Sequence, residues 1–188
     1  MIYLDYAATS PICEAAKKVI IENLDCFGNP SSIHDLGREA RVLIENARGR
    51  IAKCINANPD EIYFTSGGSE ANTLALNNRR NSASSKFEHH SVITDCPKIS
   101  VTKDGFIKSH KLNNMLSEWW EVPFDVMSCM HVNNEIGTIQ PVKELSTIAH
   151  RYGILFHTDA VQAMPYIPID VKDIGCDMTV SENSRMPR

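Results

Sequence analysis

Short apolar runs alternate with amphipathic segments along this chain, and that alternation restricts the fold more than any other feature of its sequence. Strand-like runs fall at 62–65, 91–95, 99–102, 126–132 and 154–158, and helical spacing falls at 70–78, 110–119 and 141–151 between them. Strands separated by helices pair in parallel, and the helices cover both faces of the sheet. Val126-Met127-Ser128-Cys129-Met130 and Ile154-Leu155-Phe156 are short and largely apolar, as strands buried on both sides should be. Upstream, Ile12, Ala15, Ala16, Val19, Ile20 and Leu24 recur at helical spacing. After the turn Gly28-Asn29-Pro30-Ser31-Ser32, which ends on a helix cap, residues 33–56 read as one long amphipathic helix. Pro141 and Gly153 suit the start and end of the helix at 141–151. The expected class is α/β: three layers, a mostly parallel sheet flanked by helices.

A length of 188 residues is enough for one sizeable core. A net charge of -4 argues against nucleic acid or an anionic membrane as partner. No apolar run approaches the roughly 20 residues that span a bilayer. Met1-Ile2-Tyr3-Leu4-Asp5 lacks the basic start and apolar core of a secretory signal, so a cytoplasmic location is expected. Cys13, Cys26, Cys54, Cys96, Cys129 and Cys176 form no C-x-x-C pair, which leaves no local metal motif and predicts free thiols, several of them buried.

In parallel sheets, ligands gather beyond the carboxyl ends of the strands. Three polar clusters stand at such positions: Ser66-Gly67-Gly68-Ser69, Asn133-Asn134-Glu135 and Asp159-Ala160-Val161-Gln162. The first combines a sharp Gly-Gly turn with a helix start. The N–H groups of that start, together with the hydroxyls of Ser66 and Ser69, suit a phosphate. A plain Gly turn with a Ser cap explains the same residues. His89 and His90 begin another strand near the same crevice. Neighbours on an extended strand point to opposite sides, so the pair is a poor shared metal site, and no metal is expected. His131 and His157 read as core or supporting residues.

Together these segments resemble one family, the cysteine desulfurases within the class V aminotransferases that use pyridoxal phosphate (PLP). The resemblance is carried by Ile2-Tyr3-Leu4-Asp5-Tyr6-Ala7-Ala8-Thr9, Gly28-Asn29-Pro30-Ser31-Ser32 and Phe64-Thr65-Ser66-Gly67-Gly68-Ser69-Glu70-Ala71-Asn72. It continues through Glu88-His89-His90-Ser91-Val92, Met130-His131-Val132-Asn133-Asn134-Glu135-Ile136-Gly137 and His157-Thr158-Asp159-Ala160-Val161-Gln162. These come in the family's order, from residue 2 to about 177. The resemblance implies the large domain of a PLP fold type I transferase, incomplete at the C-terminus. Residues 1–30 would form an N-terminal segment and interface arm, and 31–188 a partial cofactor-binding domain, with the C-terminal substrate domain absent.

By the same resemblance, Gly68 and Ser69 would hold the PLP phosphate, Asp159 would pair with the pyridine nitrogen, and His89 would stack on the ring. Gln162 would donate to the ring's phenolic oxygen. Asn134 would sit near that oxygen or the substrate carboxylate. Bland alternatives stay open: Asp159 as a helix cap, Gln162 as a solvated helix residue, Asn134 as a turn residue.

The chain departs from the family after Asp177. There the family carries the lysine that tethers PLP and, later, a nucleophilic cysteine; in register, Arg185 stands near the lysine's place. A guanidinium stays protonated and does not serve as an amine nucleophile. No catalytic residue is therefore assigned, no covalent attachment of PLP is expected, and the chain alone is expected to be truncated and inactive. L-cysteine is the family's substrate, giving alanine and a persulfide for iron–sulfur cluster assembly. A homodimer and a sulfur-acceptor or scaffold protein are the partners it implies. The alternatives are a non-catalytic regulatory fragment or one half of a split class V enzyme.

Overall fold

The computed structural model describes residues 2–6, 8–76, 81–92, 97–118, 124–164 and 166–182. Two compact units are present, one within residues 1–64 and the other within 65–183.

In the first unit, α1 (Glu14–Glu22) is capped by the Cys13 sulfur, which accepts from the Ala16 N–H. The long helix α2 (Asp35–Cys54) starts two residues later than the sequence suggests. Its cap is His34, whose Nδ1 accepts the Gly37 N–H at 3.3 Å; Ser32 lies in the turn before it. Glycine is required at position 28, because a Cβ there would lie 2.3 Å from the Leu36 carbonyl oxygen. Residues 62–65, read from their apolar run as a strand, pair with no sheet. The Arg48 guanidinium instead donates to the Ile62 carbonyl and lies 4.9 Å from the Phe64 ring centre, tying this segment back to α2.

The second unit holds a parallel sheet of β1 (Ser82–Ser85), β2 (Lys98–Ile99), β3 (Val126–Ser128), β4 (Leu155–Asp159) and β5 (Met178–Val180), in the order β2-β1-β3-β4-β5. Flanking it are α3 (Gly68–Leu76), α4 (Ser109–Ser117), α5 (Val142–Arg151) and the short α6 (Val171–Ile174). Helix α5 buries Val142, Leu145, Ser146, Ile148 and Ala149, the i, i+3, i+4 stripe of an amphipathic helix, and packs on β4. Tyr152 closes it and Gly153 follows with φ +70°, as the Gly at its end anticipates. Val126, Met127, Phe156 and Leu145 are fully buried. The α/β class and the parallel sheet with flanking helices match expectation.

The strand expected at 91–95 does not begin at its first two residues: Ser91 and Val92 close a turn in which the Val92 N–H donates to the His89 carbonyl, and 93–96 lie outside the described residues. Strand β1 carries no apolar signal. Its serines are buried because each hydroxyl placed inside finds a partner, Lys98 Nζ at 2.8 Å for Ser84 and Glu88 for Ser85. Among the described cysteines only Cys129 is buried, while Cys26 and Cys54 are exposed, so burial of several thiols is not seen. No helix of the described residues is long and apolar enough to cross a membrane.

One buried amide joins the loops at the carboxyl ends of the strands. Gln140 is 2% exposed; its Oε1 accepts the Ile107 N–H at 3.0 Å and its Nε2 donates to the Gly105 carbonyl at 2.6 Å. Replacing it with Leu leaves both backbone groups unmatched. We expect a loss of about 1–3 kcal/mol for each of them, read as a lower urea midpoint; an unchanged midpoint would show that water already satisfies these groups.

Candidate cofactor site

A chain that runs from β1 outward to β2 and then back past β1 to β3 reverses direction between β1 and β3. Ligand crevices form at such a reversal, beyond the carboxyl ends of the strands. The ladder between β3 and β4 continues past the end of β3: the Cys129 N–H donates to the His157 carbonyl at 3.0 Å and the His131 N–H to the Asp159 carbonyl at 2.9 Å. On the other edge, the Ala160 N–H donates to the Val180 carbonyl at 2.7 Å. Backbone bonds on both sides therefore fix Asp159 at the end of β4.

The Asp159 side chain is 2% exposed and both its oxygens accept, Oδ1 from the Val161 N–H at 3.0 Å and Oδ2 from Asn72 Nδ2 at 2.8 Å. That is the bonding of a carboxylate. No helix starts at its next described residues. Residues 161–164 form a turn, so the capping alternative reduces to the single bond to Val161.

Gly68 and Ser69 open α3, whose first N–H groups have no carbonyl partner within the helix. A Cβ at Gly68 would meet Val161 Cγ2 at 3.0 Å, so a larger side chain would fill the space beside the turn that follows Asp159. Ser66 does not join this cluster as expected. Glu70 reaches back to it, its Oε2 accepting the Ser66 N–H at 2.5 Å, and the Ser66 hydroxyl and N–H hold the Glu70 carboxyl below its ordinary range.

His89 is half-buried, with Nδ1 2.7 Å from Ser91 Oγ and 3.3 Å from the Ser91 N–H. His90 does not point the opposite way. The backbone turns here instead of extending, and the two rings lie 3.8 Å apart between centres at 41°. Asn134 sits half-buried in the turn 133–137, and among the described residues no hydrogen bond joins it to Asp159, His89 or Gly68. Gln162 is half-buried in the turn after Asp159. The structure thus links Asp159, Gly68 and His89 through Val161, Asn72 and Ser91, and leaves Asn134 outside that linkage.

Beneath this group lies a network that the motifs did not reveal. Glu88 is buried, its Oε1 accepting the Met130 N–H at 2.7 Å and the Ser85 hydroxyl, its Oε2 3.5 Å from the Ser128 hydroxyl. Ser128 Oγ lies 2.8 Å from His157 Nδ1. Burial pushes the Glu88 carboxyl up to about 7, with the charge of Asp159 adding to the rise, while the bonds from Ser85, Met130 and Ser128 oppose it. Burial pulls His157 down to about 4, so its imidazole stays neutral, and lowers His131 as well. The one sequence signal for Glu88 was its place just before His89.

The parallel sheet with its flanking helices defines an α/β protein, and a carboxylate, a helix N-terminus beside a glycine and an imidazole linked to the carboxylate lie at the ends of its strands. The chain belongs to the class V aminotransferase family, whose model matches residues 2–183. It is 43% identical to a cysteine desulfurase IscS of Dictyoglomus turgidum, over 94% of this chain and 49% of the relative. A solved NifS-like protein of Rickettsia africae covers 98% of this chain with TM-score 0.90 and 33% identity, and SspA in complex with cysteine covers 98% with TM-score 0.87 and 30% identity. This chain covers 54% and 58% of those two proteins, so it spans about half the length of the relatives it matches. Their architecture is that of the PLP fold type I transferases, as the motifs implied.

The raised Glu88 value has a definite sign. An acid whose carboxyl titrates near 7 when folded and near 4.5 when unfolded keeps its proton longer in the folded state. Its contribution to stability is intact below about 4.5 and is lost as pH rises toward 7. Glu88→Gln retains an acceptor and cannot ionise. Relative to the unaltered protein it should gain stability between these pH values, on the order of 3 kcal/mol from a shift of this size, measured by urea unfolding at pH 4.5 and pH 8. His157 titrates in the opposite sense in both proteins and cancels from the difference. A constant difference across the range would place the Glu88 carboxylate in contact with water.

Proposed function

We propose that this chain is the cofactor-binding portion of a PLP-dependent enzyme of the cysteine desulfurase kind. The observation that carries this is Asp159: a buried carboxylate at the end of β4, bonded by Val161 and Asn72, in the same cluster as the glycine-walled start of α3. PLP is an anion at one end and a protonatable ring nitrogen at the other, and these two features face it with a helix N-terminus and an acid. The donor set fits the group.

When bound, PLP would supply an electron-accepting ring for chemistry at the Cα of an amino acid. The residues of this chain would hold and orient it. The N–H groups of Gly68 and Ser69 would donate to the phosphate. Asp159 would accept a hydrogen bond from the ring nitrogen and favour its protonated form. The flat imidazole of His89 would lie against the ring, Gln162 would donate to its phenolic oxygen, and Asn134 would serve that oxygen or a substrate carboxylate. No catalytic or metal-binding residue is assigned.

For the whole enzyme, the relatives' names support L-cysteine as substrate, with alanine and a persulfide as products and a sulfur acceptor as partner. SspA with bound cysteine supports the same substrate class. Residues 1–30 would serve as an arm in a homodimer, and the enzyme would work in the cytoplasm. Arg185, in register with the family's tethering lysine and outside the described residues, is no amine nucleophile. We therefore propose that the 188-residue chain holds PLP without covalent attachment and does not turn over cysteine alone.

Two measurements test this. Titrations of PLP and of inorganic phosphate should show that Asp159→Ala and the isosteric Asp159→Asn weaken PLP about 10- to 100-fold, the worth of a charged hydrogen bond. Phosphate affinity should stay unchanged; equal losses would remove Asp159 from the ring. With PLP and L-cysteine, the purified chain should release neither sulfide nor alanine above a protein-free control, and release of either would overturn the inactivity.

A further inference from the structure

We propose that Asn72 is a positioning residue for this cofactor site, its amide holding Asp159 with one hydrogen and, by way of Ser91, orienting His89 with the other. The inference rests on the PLP site proposed for Asp159 and His89. Asn72 lies on α3 and is 1% exposed. Its Nδ2 is 2.8 Å from Asp159 Oδ2 and 3.0 Å from Ser91 Oγ, so both amide hydrogens are used. The orientation of the amide is determined: a flipped group would set Oδ1 against a carboxylate oxygen, acceptor against acceptor.

Direction then passes along the chain. Ser91 Oγ accepts from Asn72, which leaves its own hydrogen for His89 Nδ1 at 2.7 Å. The Ser91 N–H also faces that nitrogen, at 3.3 Å. A nitrogen that meets two donors is an acceptor, so neutral His89 carries its hydrogen on Nε2. Asn72 thus fixes the rotation of the acid and the tautomer of the imidazole within one frame. Without it the Ser91 hydroxyl could turn and accept from Nδ1–H, and His89 would sample both tautomers.

The other end of the amide supports a role beyond packing. Among the described residues, Asn72 Oδ1 is buried with no hydrogen-bond partner. A leucine fills a similar volume without burying an unmatched oxygen, so packing alone does not favour an amide here.

The test replaces Asn72 with Leu and reads two quantities. Long-range proton–nitrogen NMR of the unliganded chain should show His89 as a single Nε2–H tautomer in the unaltered protein and as a mixture in Asn72→Leu and in Ser91→Ala. PLP affinity should fall on the order of 10-fold in Asn72→Leu, with inorganic phosphate affinity unchanged. If Asn72→Leu does not fold, Asn72→Ser, smaller and less disruptive, carries the same measurements. A His89 tautomer unchanged by loss of the Asn72 amide overturns the inference. An unaltered protein that binds no PLP would defeat the cofactor site instead, while the tautomer still decides whether Asn72 orients His89.

Discussion

The central pair β3 and β4 is the constraint from which the rest of the site follows. Its backbone bonds extend beyond Ser128 to reach His131, so the chain leaving β3 stays alongside the end of β4. Side chains alternate along a strand, which sets His157 and Asp159 on one face and Phe156 and Thr158 on the other. Ser128 stands in register with His157 and bonds its ring. One face at the strand ends is therefore polar, and it is there that Glu88, Asn72 and Asp159 come together.

Two buried carboxyls so close cannot share a charge state without cost. The structure separates their roles. Glu88 takes its bonds from two hydroxyls and one N–H in a buried place, and burial with the Asp159 charge favours its protonated form. His157, bonded to Ser128, is kept neutral by the same burial. Below about pH 7 the layer beneath Asp159 is thus polar but largely uncharged. A cationic ring N–H arriving at the strand ends would meet one dominant acid instead of two competing ones.

Some of this was legible in the sequence and some was not, for physical reasons. Helix α5 declares itself because burial recurs at its own period, from Val142 to Ala149. Asp159 stands out because an acid ends an apolar run, where a charge is costly unless donors meet it. Strand β1 hides because Ser82-Ala83-Ser84-Ser85 looks solvated until Lys98 and Glu88 are seen to serve its hydroxyls. Conversely, 62–65 looks buried and is not: Tyr63 is 78% exposed and Arg48 holds the backbone. Asn72 reads as an ordinary polar residue of a helix, since the partner that gives it meaning lies 87 positions away.

The two ends of the site meet through a single residue. The Val161 N–H closes on the Asp159 carboxylate, and its Cγ2 would lie 3.0 Å from a Cβ on Gly68. The start of α3 and the acid are therefore set against each other by one rigid turn and by the Asn72 amide, which issues from α3 itself. An inorganic anion can use only the helix end of such a frame. In the proposed site, a ligand with a phosphate at one end and a ring nitrogen at the other would be held at both, so the separation of Gly68 from Asp159 would act as a ruler. Selectivity in that proposed site would come less from the strength of either contact than from the stiffness of the turn between them, because a loose spacing would let each end bind its own small ligand and reward none that joins the two.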